Sequence, residues 1–483
     1  MTLWVPWMNA VRSLRPACQR SRTFLWLLLT LIGLCCRLDL AGVTSYVRVL
    51  GLRPEAYHRF LHLFHSKGLD LDKLTACWMK LCLTLFKPVC AGSRLICLAD
   101  GIKVPKEGKL MPAVKSLHQQ SGSNSKPDYI MGHSFQAISL LVQAASGHVA
   151  AVPLMSRIHE GLVFSNRDSR TLLDKLAVLM FSIANFLGRK ILLVADAYYA
   201  SGKLIAQLLS KGHQLVTRAK SNAVAYLPVP TPQHRRRGRP RIYGKKVPLK
   251  ELAQDHAAFT SAPSPVYGEN NVTLRYRCLD LMWRPAARIV RFVIVCHPHP
   301  TPVTKTCRWG PRHRGTIFLL STDLTLAPLE ILMLYAYRFK IELGFRQGVH
   351  VLGAYAYHFW MSGMKPLKRG DGDQYIHRTS DAYRAAIRRK MAAFHVHVQL
   401  GCIAQGLLQH LSLNYTAEVW LCFRSWLRTM NPALPPSELV VANALRSAIP
   451  RFFSSSQLDP KLKKILDQYR RSDIHLHSEE IAA

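Results

Sequence analysis

The sequence predicts an α/β protein: a mixed sheet flanked by helices, interrupted by a β-rich insertion and preceded by an N-terminal helical domain. Three observations lead there. Short apolar runs ending in Asp alternate with helical periodicity between residues 91 and 220, which is the pattern of an α/β unit. That order breaks at about Ser221 and resumes at Thr316, with basic and strand-like sequence between. Residues 1 to about 90 instead repeat apolar positions at three- and four-residue spacing through Ala56–Phe64 and Leu71–Leu85, as amphipathic helices do.

Each element has its own signal. Gly51-Leu52-Arg53-Pro54 and Ser66-Lys67-Gly68 separate the N-terminal helices as turns. Leu95–Ala99 (LICLA) reads as a strand ending at Asp100-Gly101. Ser134–Gln143 and His148–Leu154 read as strands joined by a Ser146-Gly147 turn. Asp168 or Ser169 caps a helix running to about Leu187, and Gly188 ends it. Lys190–Ala195 (KILLVA) is a buried strand ending at Asp196, followed by a helix over Ser201–Ser210 and a strand over Gln214–Thr217. The insertion carries two strand-like runs, Val272–Leu281 and Ala287–Val295. Ile317–Ser321 is a strand, and Pro328 opens one helix through Glu342 to about Gln347. Asp381–Leu411 is a long helix, and the tail from Pro432 has weak order signals. The expected units are therefore 1–90, a helical unit that is either a DNA-binding domain or a lid; 91–220 and 316–430, two parts of one α/β core; 221–315, the basic insertion; and 431–483, a C-terminal tail.

Composition bounds the function. Of 483 residues, 49% are hydrophobic and 19% charged, an ordinary globular balance that excludes a disordered chain, a collagen-like rod or a disulfide scaffold. The charge is extreme: 65 Lys+Arg against 28 Asp+Glu give +37. Self-repulsion on that scale points to a polyanionic partner, nucleic acid first and an anionic membrane surface second. Phe24–Cys36 is apolar but shorter than the ~20 residues a spanning helix needs, and Arg37 and Asp39 follow with no small-residue cleavage site. It reads as a buried helix, and no later stretch reads as a span, so no membrane partner is expected. The 12 cysteines form no CxxC pair and read as free thiols in a reducing compartment. His58, His62 and His65 share a helical face, but no Cys lies at finger spacing, which favours a structural or DNA-facing stripe over zinc.

Chemistry concentrates on three carboxylates. Asp100 and Asp196 each follow an apolar strand, where α/β sheets place their reactive groups. A single Asp there is most often a turn or cap residue. Tyr335, Arg338 and Glu342 share one helix face at i, i+3 and i+7. Arg338 and Glu342 alone would make an ordinary surface ion pair. Facing the two aspartates, Glu342 completes a set that like-charge repulsion forbids unless a cation neutralises it. Hard divalent cations do so through oxygen ligands, and two of them can drive phosphodiester displacement.

The order Asp100, Asp196, Glu342, with a β-rich interruption before the last, resembles the RNase H-like core of DDE transposases, and in particular the insertion-sequence-four group of bacterial transposases. That group's Glu-helix signature is Y-x2-R-x3-E-x6-K; Tyr335, Arg338 and Glu342 match it, and Val349 stands where the Lys would be. The stretch Leu319–Gln347, VLG at Val351–Gly353, DAYYAS at Asp196–Ser201 and HFWM at His358–Met361 are also similar to the group. The resemblance runs from about Phe24 to Leu413. It implies a cut-and-paste transposase that cleaves transposon ends and transfers them into target DNA. Asp100, Asp196 and Glu342 would be catalytic and would hold two Mg2+, with Mn2+ a possible substitute. Tyr335 and Arg338 would bind DNA phosphate, with Arg346 and His350 near the missing Lys. A homodimer on double-stranded DNA, in a bacterial cytoplasm and associated with the nucleoid, is implied.

Other features leave alternatives open. Residues 235–246 hold Arg235, Arg236, Arg237, Arg239, Arg241, Lys245 and Lys246. RGRP at Arg237–Pro240 is similar to a minor-groove hook core, or is a solvated basic loop on phosphates. Trp309 either stacks on a flipped base or packs. His133 opens its strand and is either near the site or structural. A metal-dependent nuclease without strand transfer and an inactive DNA-binding relic are the competing functions.

Overall fold

The structure is a computed structural model that describes residues 3–40, 42–119, 127–229, 241–298, 315–455 and 458–470. Eight strands organise it: β1 (Arg94–Pro105), β2 (Tyr129–Gln143), β3 (Val149–Ile158), β4 (Ile191–Ala195), β5 (Gln214–Arg218), β6 (Thr273–Trp283), β7 (Arg288–Cys296) and β8 (Thr316–Ser321). Their order is β3-β2-β1-β4-β5-β8-β7-β6 in one mixed sheet. β1, β4 and β5 run parallel; the other neighbouring pairs are antiparallel. The two strands of the insertion thus continue the core sheet, because β7 pairs with β8 and β8 with β5.

Helices cover both faces. The N-terminal ones are α1 (Trp4–Arg12), α2 (Ser21–Cys36), α3 (Val43–Val49), α4 (Ala56–His65) and α5 (Leu71–Leu85). α6 (Leu172–Leu187) and α7 (Gly202–Ser210) connect the parallel strands. The cap of α6 is not Asp168 or Ser169 but Thr171, whose hydroxyl accepts from the Asp174 N–H while the Asp174 carboxylate accepts from the Thr171 N–H; this reciprocal box satisfies two end groups at once. Gly188 closes the helix in the left-handed region, φ 62°.

The single helix expected from Pro328 is two, α8 (Pro328–Tyr337) and α9 (Phe339–His350). They meet at Arg338, whose N–H bonds the Tyr335 carbonyl at 3.1 Å, the i−3 partner of a tightened turn. α10 (Asp381–Asn414) is the central helix, packed on β3 and on α2, α4 and α5. By length and composition it could cross a membrane, which corrects the reading that no later stretch could; 83% of its apolar window is buried inside the protein. α2 is likewise buried from Leu25 to Cys36, as its apolar composition predicts. The tail is more ordered than its composition suggests: Glu438–Ser447, Ile449–Phe453 and Pro460–Tyr469 are helical, and Phe452 stacks on Trp4 with ring centroids 4.8 Å apart. The described cysteines are all free, and burial pushes the Cys35, Cys97 and Cys402 thiols up to about 12.

Gly202 opens α7 directly against the turn between β6 and β7, where a Cβ would overlap the Pro285 carbonyl. Backbone cannot yield as a side-chain tip does, so overpacking here should cost about 1–3 kcal/mol. Gly202→Ala should therefore lower the melting temperature by several degrees; an unchanged melt would mean that α7 and the insertion do not meet.

Candidate active site

Register and period-two alternation place the two aspartates together. The last parallel pair between β1 and β4 is Ala99↔Ala195, so Asp100 and Asp196 come next on neighbouring strands ~4.8 Å apart. The strand does not end at Asp100 as the sequence suggested. β1 runs on to Pro105 because its antiparallel ladder with β2 continues to Pro105↔Gly132; β4 stops. The site therefore lies where β1 and β4 part.

Alternation decides the face. Ile96 and Leu98 precede Asp100 on one side of the sheet, and Leu192 and Val194 precede Asp196. All four join an apolar cluster with Ile331, Leu334 and Ile341 of α8 and α9. Burying that face brings the Glu342 helix over the aspartates. The central helix fixes α9 from behind, with Gln405 Nε2 donating to the Gly344 carbonyl at 2.9 Å.

Arg338 ties the carboxylates. Its Nη1 donates to Asp100 Oδ2 at 3.1 Å and its Nη2 to Glu342 Oε1 at 2.7 Å. Asp100 Oδ1 accepts from the Gly101 N–H at 2.8 Å, and Asp196 Oδ1 caps a short turn through the Ala197 N–H at 2.6 Å. Burial pushes the Asp100 carboxyl up to about 6; Glu342 and Asp196 add to the rise, and the Gly101 N–H and Arg338 oppose it. The Tyr335 ring lies 5.9 Å from the Arg338 guanidinium, within cation–π reach. Burial raises the Tyr335 hydroxyl above its ordinary value, with Arg338 and Arg218 pulling the other way.

Two supports escape sequence reasoning. Gln136 donates to the Asp100 carbonyl at 2.9 Å and accepts from the Tyr199 hydroxyl at 3.0 Å, which braces the backbone under the carboxylate. Tyr267, from the insertion, stacks on Tyr337 at 5.6 Å, and Lys340 Nζ sits 4.4 Å above its ring. The insertion thereby touches the Glu342 helix. A lone Gln in an apolar strand and a lone loop Tyr carry no periodic signal.

The other expected residues are distributed as follows. Arg346 is exposed on α9, and Arg241, Lys245 and Lys246 are exposed. Arg235, Arg236, Arg237, Arg239 and Trp309 lie outside the described residues. His133 is structural: its Nε2 lies 2.9 Å from the Pro112 carbonyl, its ring packs on Phe394, and burial pushes it down to about 3. His62 and His65 line a cleft of about 540 Å³ with Arg20, Arg22, Arg59 and Lys67, and no carboxylate lines it. Val349 is only partly exposed and packs against a cluster of Val104, Phe135, Tyr355 and Val398. A larger cavity of about 1270 Å³ adjoins Gln136 and Arg157, and its Glu160 and Asp373 are already paired with Lys115.

Among the described residues, no group of three or more His, Cys, Asp or Glu stands together closely enough to hold a metal ion. The Arg338 guanidinium joins Asp100 to Glu342. The donor chemistry nevertheless fits a hard divalent cation: all three side chains offer carboxylate oxygens. Burial is the main cause of the raised Asp100, and the neighbouring Glu342 and Asp196 carboxylates add to it.

A family model for the DDE superfamily endonucleases matches residues 13–276, just over half of the chain. The chain belongs to that family, which makes it a nuclease-type enzyme with DNA as its substrate class and divalent metal ions as the family's usual cofactor. The match contains Asp100 and Asp196 and ends before Glu342. Among curated proteins none matches.

Two measurements check this geometry. In metal-free protein, Asp100 should titrate near 6 rather than 3.8. A carboxyl raised by folding contributes stability below 3.8 that is lost as pH rises through 6. Asp100→Asn should then melt higher than wild type at about pH 8 and lose that advantage below about pH 4; an advantage independent of pH would contradict the dehydrated carboxylate. Val349→Lys should cost about 1–2 kcal/mol in denaturant unfolding, as an ammonium forced against apolar packing does. No loss would place Val349 in solvent.

Proposed function

We propose that the protein is a DNA transposase of the insertion-sequence-four DDE class, cutting transposon ends and joining them to target DNA. The observation that carries this reading is the Arg338 bridge from Asp100 to Glu342, at the point where β1 and β4 separate. The strand order β3-β2-β1-β4-β5, with β2 antiparallel, supports an RNase H-like core beneath it. Tyr335, Arg338 and Glu342 stand in the spacing of that group's Glu helix.

Asp100, Asp196 and Glu342 would hold Mg2+, with Mn2+ a substitute. When bound, the metal supplies Lewis acidity at the scissile phosphate and an activated oxygen for in-line displacement. The chain's own residues do the rest. Gln136 and Tyr199 brace the backbone that carries Asp100. Arg338 has the planar two-armed donor that a phosphate accepts, and Tyr335 holds its flat side. Packing of α8 and α9 over the sheet keeps water from the aspartates' apolar flank. The N-terminal helices would grip the transposon end through the basic cleft of Arg20, Arg22, Arg59 and Lys67, with Arg241, Lys245 and Lys246 adding phosphate contacts. Joining two ends requires two such sites, hence a homodimer on DNA.

The test is a duplex carrying the sequences that flank this reading frame, incubated with protein and Mg2+. Cleavage should free a 3′-OH that is then found joined to target DNA. Asp100→Asn, Asp196→Asn and Glu342→Gln should each slow cleavage by about a thousandfold or more, the several kcal/mol that metal activation supplies. Cleavage without joining would leave a nuclease, and no cleavage a DNA-binding relic. Replacing Arg20, Arg22, Arg59 and Lys67 with Gln should reduce the slope of log affinity against log salt by about 0.9 for each phosphate that is no longer neutralised. An unchanged slope would remove the cleft from the DNA path.

A further inference from the structure

We propose that Arg338 is a removable internal cation. It fills the place between Asp100 and Glu342 until a phosphate draws it away, so that metal loading and DNA binding are coupled through one guanidinium. This rests on the metal-site reading above and concerns how that site is filled.

The geometry sets up a competition. Each terminal nitrogen of Arg338 holds a different carboxylate, Asp100 at 3.1 Å and Glu342 at 2.7 Å. These oxygens are acceptors only. Arg338 engages one oxygen of each carboxylate, so a metal ion drawing on both side chains would lie beside the guanidinium, and the repulsion of like charges sets the two in competition. The Arg338 side chain is 18% exposed, so water only partly replaces the carboxylates for a guanidinium pushed off them. A partly buried charge left without a partner is strongly unfavourable. A phosphate relieves it, since two of its oxygens match the two-nitrogen fork. The Tyr335 ring remains beside the guanidinium during the exchange. The converse also holds. Once Arg338 has turned to a phosphate, Asp100 faces Glu342 and Asp196 without its charge, and a divalent ion is then bound more tightly. Coupling of this kind is reciprocal: DNA tightens metal binding by the factor that metal tightens DNA binding. A Lys at this position would offer one point charge in place of the planar fork that matches two phosphate oxygens.

The experiment is Mn2+ binding to the metal-free full chain, read by calorimetry with and without a saturating short DNA duplex, and with the duplex-alone titration subtracted. Wild type should bind Mn2+ about tenfold more tightly when DNA is present, within the usual range of coupling between sites. Arg338→Gln should bind Mn2+ about tenfold more tightly than wild type without DNA, and adding DNA should bring no further gain. Arg338→Lys, which keeps the charge but not the fork, should lose most of the DNA-dependent gain and gives the same readout if the Gln variant folds poorly. An Arg338→Gln protein that binds Mn2+ no better than wild type, or that keeps the full DNA-dependent gain, overturns the proposal. Asp100→Asn separates the two levels. If it leaves Mn2+ binding unchanged, the metal lies elsewhere and the site reading falls as well. If it abolishes binding while the Arg338 variants keep their coupling, only the internal-cation role falls.

Discussion

Two like charges on neighbouring parallel strands, one step past Ala99 and Ala195, are the constraint on which the site depends. The parallel ladder fixes their separation, and the apolar face they share with α8 and α9 removes much of their water. A third carboxylate on α9 would make the cluster intolerable without a cation. Arg338 is placed to be that cation by the turn that divides α8 from α9. The position of the helix junction, the raised Asp100 and the Arg338 bridge are thus one electrostatic arrangement seen from three sides.

The rest of the molecule can be understood as holding that arrangement still. α10 runs through the interior and clamps α9 at Gly344 through Gln405. The N-terminal helices pack on α10 rather than standing apart from it. The insertion extends the sheet through β7 and β8 and reaches back to the Glu342 helix with Tyr267. A basic cleft on α2 and α4 and a carboxylate cluster on the sheet are thereby parts of one packed body, with opposite charge gathered at opposite tasks.

Much of this was legible in the residues. LICLA-D and KILLVA-D marked two strands with an Asp after each, because a run of apolar residues bounded by a polar turn has few other readings. Tyr335, Arg338 and Glu342 could be assigned to one face from spacing alone. What spacing could not supply was tertiary. β1 continues past Asp100 because β2 continues to pair with it, whereas Asp100-Gly101 reads locally as a turn. Arg338 divides a helix whose periodicity is unbroken across it. Val349 shows the limit of a motif: the spacing to Glu342 suggested a phosphate contact, whereas the side chain packs among Phe135, Tyr355 and Val398. Gln136 became visible only when its two partners did.

The site is assembled from distant parts of the chain. Asp100 and Asp196 are made in its first half, while Arg338 and Glu342 follow only after the insertion. Because α8 and α9, which cover the aspartates, follow β8 in the chain, a growing polypeptide has no complete carboxylate site until Glu342 has emerged, and its N-terminal helices wait later still for α10. A product truncated before residue 338 would lack Arg338 and Glu342 and also α10, on which the N-terminal helices pack, and so would lose both the site and its support.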